Sequence, residues 1–143
     1  MRLTSFTDYG LRALMRLASD PGRSFSTADL AAEFSLSRHH LAKIIAVLVE
    51  AGIVATRRGG GGGAALARPA AEIRLGEVVR LLEAGQPMVA CFRASGGDCT
   101  IVGCCRLKAR LRLAETAFLA ALDRATLADV ALAPLETGHN GRL

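Results

Sequence analysis

Apolar residues recur along the first fifty positions at the three-to-four-residue spacing of helices that bury one face. From Ser5 to Ser19, Leu11, Leu14, Met15 and Ala18 fall on such a stripe, with Thr4 or Ser5 placed as N-cap. The turn Asp20-Pro21-Gly22 ends this first helix. Ser26 or Thr27 then caps a short second helix through Phe34, in which Leu30, Ala31 and Phe34 share a face. Ser35-Leu36-Ser37 breaks it. In a third helix Leu41, Ile44, Ile45 and Leu48 stand at i, i+3, i+4 and i+7 until Gly52. Two short helices about a tight turn predict a helix-turn-helix.

The pattern then changes. Ile53-Val54-Ala55-Thr56 is short and β-branched, and Arg57-Arg58 and a run of five glycines separate it from Ala64-Ala65-Leu66-Ala67. This predicts a β-hairpin wing with a basic, glycine-rich tip, closed by Pro69. Ile73 to Ala84 reads as a further helix that carries Val78, Leu81 and Leu82 and stops at Gly85. Periodicity is absent from Ala90 to Cys105. From Arg106 onward Leu107, Leu111, Ala114, Phe118 and Leu122 form one stripe, broadened by Leu113, Ala117 and Leu119. So long an apolar helix, following a complete winged unit, points to a dimer interface; the alternative is an ordinary core helix folded back on that unit. Thr126-Leu127-Ala128-Asp129-Val130 reads as one more capped turn.

The expected fold is therefore mainly α with a small β-hairpin. A winged helix-turn-helix DNA-binding domain spans 1–84 and a cluster-binding loop 85–105. A dimerisation helix with a short following turn occupies 106–131, and 132–143 are expected to form a disordered tail.

Composition narrows the function. No stretch of the 143 residues approaches the roughly 20 uncharged apolar residues of a bilayer span, and the opening residues carry no apolar secretory core. A soluble cytoplasmic protein is expected, with no membrane partner. The net charge of +5 suits a polyanion, because lysine and arginine supply most of non-specific DNA affinity. If the Leu41 stripe faces inward, Arg38, His39, Ala42, Lys43 and Ala46 face outward, and the N-terminal end of such a helix leads into the major groove. Arg38 is the candidate for a guanine, Lys43 for phosphate, and Ser37, His39 and His40 complete this end; adjacent histidines cannot share a face, so one should be half-buried. Arg57, Arg58 and Gly60 at the wing suit the minor groove. The glycines lack a following Gly-Lys-Ser or Gly-Lys-Thr and do not form a phosphate loop.

All four cysteines, Cys91, Cys99, Cys104 and Cys105, lie between positions 91 and 105. In a reducing compartment such clustering reads as a metal site or redox switch. The intervals between Cys91, Cys99 and Cys105 are seven and five residues, too wide for the paired knuckles of a zinc ribbon. They suit a loop wrapped round an iron–sulfur cluster, where three thiolates leave one iron position for another donor. Cys104 adjoins Cys105 and would point elsewhere, though the spacing leaves it open as a substitute. No second cofactor motif or nucleophile–base pair can be named, so an enzyme is not expected. A redox protein and a structural zinc module are the readings from other classes.

The combination of residues 3–14 (LTSFTDYGLRAL), the wing Arg58-Gly59 with Leu66-Ala67, the segment Ile73–Val79, Cys105-Arg106-Leu107-Lys108 and Thr126–Asp129 resembles the NsrR repressors. These are nitric-oxide-sensing, iron–sulfur regulators of the Rrf-two superfamily, which also holds the IscR regulators, and the resemblance covers residues 2 to about 131. It implies a homodimer on promoter DNA in which Cys91, Cys99 and Cys105 hold a 4Fe-4S or 2Fe-2S cluster. An acidic residue from the second subunit completes the site, and Asp8 matches that position. Ser5-x-x-Asp8 also fits a capping box, which would leave Asp8 with a purely helical role. The resemblance further implies that nitrosylation releases the repressor from genes of nitric oxide detoxification. A regulator of the same fold that reports cluster supply or iron status is the near alternative.

Overall fold

The computed structural model describes residues 2–60 and 62–135. Helix α1 (Ser5–Leu17) starts at Thr4, whose hydroxyl accepts from the Thr7 amide at 3.3 Å. Thr4 is itself held: its amide and hydroxyl donate to Glu83 Oε1 at 2.7 and 2.9 Å. The capping box between Ser5 and Asp8 does not form, because Thr4, one residue earlier, takes the cap and the Asp8 carboxylate turns to Arg12. Helix α2 (Thr27–Phe34) is capped by Ser26 and ends at Ser35, whose φ of 55° turns the chain. Helix α3 (Arg38–Glu50) is capped by Ser37. It ends in a Schellman turn: Gly52 N bonds Val49 O and Ile53 N bonds Leu48 O, both at 3.0 Å, around a positive φ at Gly52.

Ile53 and Leu48, joined by that turn, lie in the same core. Leu41, Ile44, Ile45 and Leu48 are all buried, as their spacing predicts, against Ala13, Leu14 and Leu17 of α1. Each fully buried leucine or isoleucine contributes about 1.5–3 kcal/mol relative to exposure. The wing strands are β1 (Val54–Arg57) and β2 (Gly63–Leu66), each one residue out of step with the expected bounds, in antiparallel register from Val54↔Leu66 to Arg57↔Gly63. Phe25 bridges Ala64 through two 2.8 Å backbone bonds, tying the wing to the segment ahead of α2. Of the glycine run, Gly61 lies outside the described residues.

A single 3-10 turn (Ala70–Glu72) follows Pro69, and helix α4 (Leu75–Leu82) begins two residues later than its apolar pattern predicts. Ile73 and Arg74 are diverted into an extended pairing: Ile73 O accepts from Leu127 N at 2.8 Å, and Leu75 N donates to Ala125 O at 3.1 Å. Helix α1 crosses α4 closely at Gly10, where a Cβ would stand 2.5 Å from Leu82 Cδ1. Helix α5 (Arg106–Leu122) has no buried residue. The capped turn Leu127–Val130 does form, with Thr126 and Asp129 closing a capping box, and it returns to the winged unit with Leu127 fully buried there. Leu132 N then bonds Met15 O, and Ala133 O accepts from Arg16, so the start of the expected tail is tied down; 136–143 lie outside the described residues. No helix among the described residues is long and apolar enough to cross a membrane.

Candidate functional site

Burial of one face of α3 leaves Arg38, His39, Ala42, Lys43 and Ala46 exposed on the other. Ser37 is exposed, and its hydroxyl accepts from His40 N at 3.3 Å, so it sets the start of this helix. The two histidines divide as their adjacency requires. His39 faces solvent, whereas His40 is half-buried against α1, its ring 6.0 Å from that of Phe6 and edge-on to Tyr9 at 5.6 Å. His40 thus braces α3 on α1. Arg57, Arg58 and Gly60 are exposed on the wing. Among the described residues Arg38, Lys43, Arg57 and Arg58 have no carboxylate partner; the ion pairs use Arg12, Arg16, Arg68 and Arg80 instead. The unneutralised charge therefore stands on the helix and hairpin that a groove-binding unit presents.

The cysteines form the second feature. Cys91 sits half-buried in a single 3-10 turn (Ala90–Phe92), and Cys105 is half-buried immediately ahead of α5, with no side-chain capping bond. Cys99 and Cys104 are exposed, with Cys104 Sγ 3.6 Å from Ile101 O. All four are free thiols. Among the described residues no three Cys, His, Asp or Glu side chains converge as a metal site, so one chain does not gather the sequence-predicted donors. The donor chemistry nonetheless fits a thiophilic iron centre: three soft sulfurs, none consumed in a disulfide. The backbone fits too, since Gly97 folds back so far that a Cβ there would stand 2.8 Å from Ala90 O, which returns the chain toward Cys91 just ahead of Cys99.

Asp8 is a half-exposed oxygen donor on α1, held by Arg12 one turn on: Nε to Oδ1 at 3.1 Å and Nη2 to Oδ2 at 2.8 Å. The i, i+4 spacing of Asp8 and Arg12 is the signal that could have found Arg12. Glu83 had no such signal, because its partner Thr4 is 79 positions away. Burial of the Glu83 carboxyl works to raise its pKa, but hydrogen bonds from Thr7 and from the backbone and side chain of Thr4 outweigh it and hold the value below the usual carboxylate range.

Known proteins bear on both features. Residues 3–133 match the Rrf2 family, described as "Iron-dependent Transcriptional regulator". The chain is 45% identical over 131 residues to the HTH-type transcriptional regulator NsrR of Geobacillus kaustophilus (strain HTA426), covering 91% of this chain and 89% of that relative. In fold it is similar to Staphylococcus aureus CymR, with a TM-score of 0.70, 29% identity, and coverage of 90% and 96% of the two chains. It is equally similar to T. potens IscR, with a TM-score of 0.70, 30% identity, and coverage of 90% and 85%. These are winged-helix regulators rather than enzymes, in agreement with the fold and class that the sequence motifs imply. The chain belongs to the Rrf2 family of transcriptional regulators.

Proposed function

We propose that this regulator is a homodimeric, cytoplasmic repressor that binds promoter DNA and senses nitric oxide through an iron–sulfur cluster, of 4Fe-4S or 2Fe-2S type. The observation that carries the reading is the set of free thiols at Cys91, Cys99 and Cys105, between the winged unit and α5, in a chain this similar to NsrR. Those cysteines would hold the cluster, with Asp8 of the second subunit as the remaining donor. When bound, the cluster supplies iron that reacts with nitric oxide.

The chain's own residues supply the rest. Leu107 and Leu113, 62% and 61% exposed on α5, are the apolar surface for a second copy. Asp8, held here by Arg12, would give up that partner to serve as a donor, and α1, which carries Asp8, bears on α3 through Phe6, Tyr9 and His40. A shift of α1 is therefore felt at the helix that reads bases. Arg38 contacts a base, with Ser37 and His39 beside it; Lys43 meets phosphate; Arg57, Arg58 and Gly60 enter the minor groove.

Anaerobic purification followed by iron, zinc and acid-labile sulfide analysis tests the cofactor, and DNA binding before and after nitric oxide tests the response. Zinc without sulfide would refute the cluster. A second reading, a regulator of iron status or cluster supply, is favoured by the family's description and by the likeness to IscR. It predicts that DNA binding follows iron or cluster loading and is indifferent to nitric oxide at stoichiometric dose. Cys104→Ser and Cys105→Ser decide the fourth cysteine: loss of the cluster with the first and retention with the second would make Cys104 the ligand.

A further inference from the structure

The cysteine loop has two unlike halves. From Val89 to Gly97 the backbone is closed on itself: Phe92 N bonds Val89 O at 3.0 Å, Arg93 N bonds Ala90 O at 3.1 Å and Gly96 N bonds Arg93 O at 2.9 Å. Gly97, with φ of +59°, seals this turn against Ala90 O, and its site for a Cβ lies 3.5 Å from Cys91 N. From Asp98 to Cys104 every residue is exposed, and the backbone bond within the segment is Cys104 N to Ile101 O.

The closed half is fastened to α5. The Arg112 guanidinium lies over the Phe92 ring, 4.0 Å from its centroid, well inside the range of a cation–π contact. Among the described residues Arg112 has no carboxylate ion pair, so this stacking is its directed contact. Glu83, Glu115 and Arg93 line the same cleft, of about 530 Å³, so carboxylates and a second guanidinium surround the stacked pair. Arg112 follows Cys105 by seven residues, which places it on the same side of α5, about 10 Å further along the axis. One helix thus begins at one thiol and, two turns later, grips the neighbour of another.

We propose that Arg112, acting through Phe92, is a positioning residue that holds Cys91 beside α5, so that Cys91 and Cys105 are placed by the fold before metal arrives and Cys99 closes the site. The proposal rests on the cluster reading above and adds residues outside its ligand set. Losing a cation–π contact of this kind weakens the held state about two- to fivefold.

The test uses the full-length chain, cluster-free and reduced, alkylated with iodoacetamide and followed site by site by mass spectrometry. Cys91 should react more slowly than Cys99. Phe92→Ala and Arg112→Ala should each speed Cys91 about two- to fivefold and leave Cys99 unchanged, and Phe92→Trp should restore the slow rate because indole is the better cation–π partner. Gly97→Ala, strained by its φ and its contact with Ala90, should speed Cys91 independently of the ring. After reconstitution with iron and sulfide, Phe92→Ala should lose its visible absorbance to a chelator faster by a similar factor, again rescued by Phe92→Trp. Equal Cys91 alkylation in wild type and Phe92→Ala would overturn the proposal, as would rescue by Phe92→Leu as complete as by Phe92→Trp. Failure of the wild-type chain to take up iron and sulfide would overturn the cluster reading itself, whereas unchanged alkylation in a chain that does take them up overturns the Arg112 role alone.

Discussion

If Asp8 is to reach a metal it must first leave Arg12, and the structure sets how much that costs. The pair spans one helical turn with the acid on the N-terminal side, the favourable order, but the two side chains are 47% and 48% exposed. Pairs of this kind contribute about 0.3–0.5 kcal/mol, a factor of roughly two in population. The Arg12 guanidinium also lies 5.9 Å from the Tyr9 ring centroid, at the outer edge of useful cation–π range, and adds little. Arg12→Ala should therefore lower the stability of the cluster-free chain by no more than about 0.5 kcal/mol in urea titration. In the reconstituted protein it should slow chelator-driven cluster loss by about twofold, since Asp8 no longer has a competing partner. The difference should shrink in 1 M salt, where the Debye length falls to about 3 Å. Asp8→Asn, which removes the anionic donor, should alter the spectrum and hasten loss. A destabilisation above about 1.5 kcal/mol, or one insensitive to salt, would mean that Asp8 and Arg12 form a structural pair and refute the exchange.

Other substitutions probe the remaining links. Arg38→Ala should relax base preference at one operator position by about 1–3 kcal/mol, whereas Arg57→Ala or Arg58→Ala should weaken specific and random DNA alike and reduce the salt slope by about one, both read from titrations at several salt concentrations. Glu83→Gln should cost about 1 kcal/mol at pH 7 by weakening the charge-assisted bonds to Thr4 and Thr7. Because the folded-state pKa of Glu83 is lowered, its contribution is complete above the ordinary value of 4.5 and fades as pH falls through the lowered value; wild type and Glu83→Gln should converge there in thermal melts. Mixed dimers locate the oxygen donor. With Asp8→Ala on one chain and the three cysteines replaced on the other, ligation across subunits leaves one complete site, and ligation within a subunit leaves none.

What could be read from the sequence, and what could not, follows from where each residue finds its partners. The stripe of α3 was legible because Leu41, Ile44, Ile45 and Leu48 each meet the core from one helix face, so spacing alone reports their burial. Ile73 and Arg74 fall at the start of the run expected for α4 yet are extended, because Ala125 and Leu127, some fifty positions on, offer backbone partners that a local window cannot register. Thr4 and Glu83 form the same kind of distant pair. Asp8 near a helix start fits both a ligand position and a capping box; Thr4, one residue ahead of Ser5, takes the cap by accepting from the Thr7 amide, and the carboxylate turns to Arg12.

The candidate site adds a further degree of remoteness. Residue types point to candidate donors, since clustered thiols suit a metal or redox site, but within one chain the described candidates do not converge. The same holds for α5, whose apolar stripe is plain in the sequence: Leu111, Phe118 and Leu122 are partly covered, whereas Leu107 and Leu113 stay largely exposed. Large exposed apolar side chains such as Leu107 and Leu113 suit a covering partner, so under the proposed dimer both features would be completed from outside the chain. One second copy would answer both, covering Leu107 and Leu113 while bringing its Asp8 toward the cysteine loop. Dimerisation and site completion should then be coupled: Leu107→Glu with Leu113→Glu, although remote from every proposed donor, should give a monomer in sedimentation and lose the Asp8-dependent part of the cluster spectrum. A monomer that retained the full spectrum would show that each chain completes its own site.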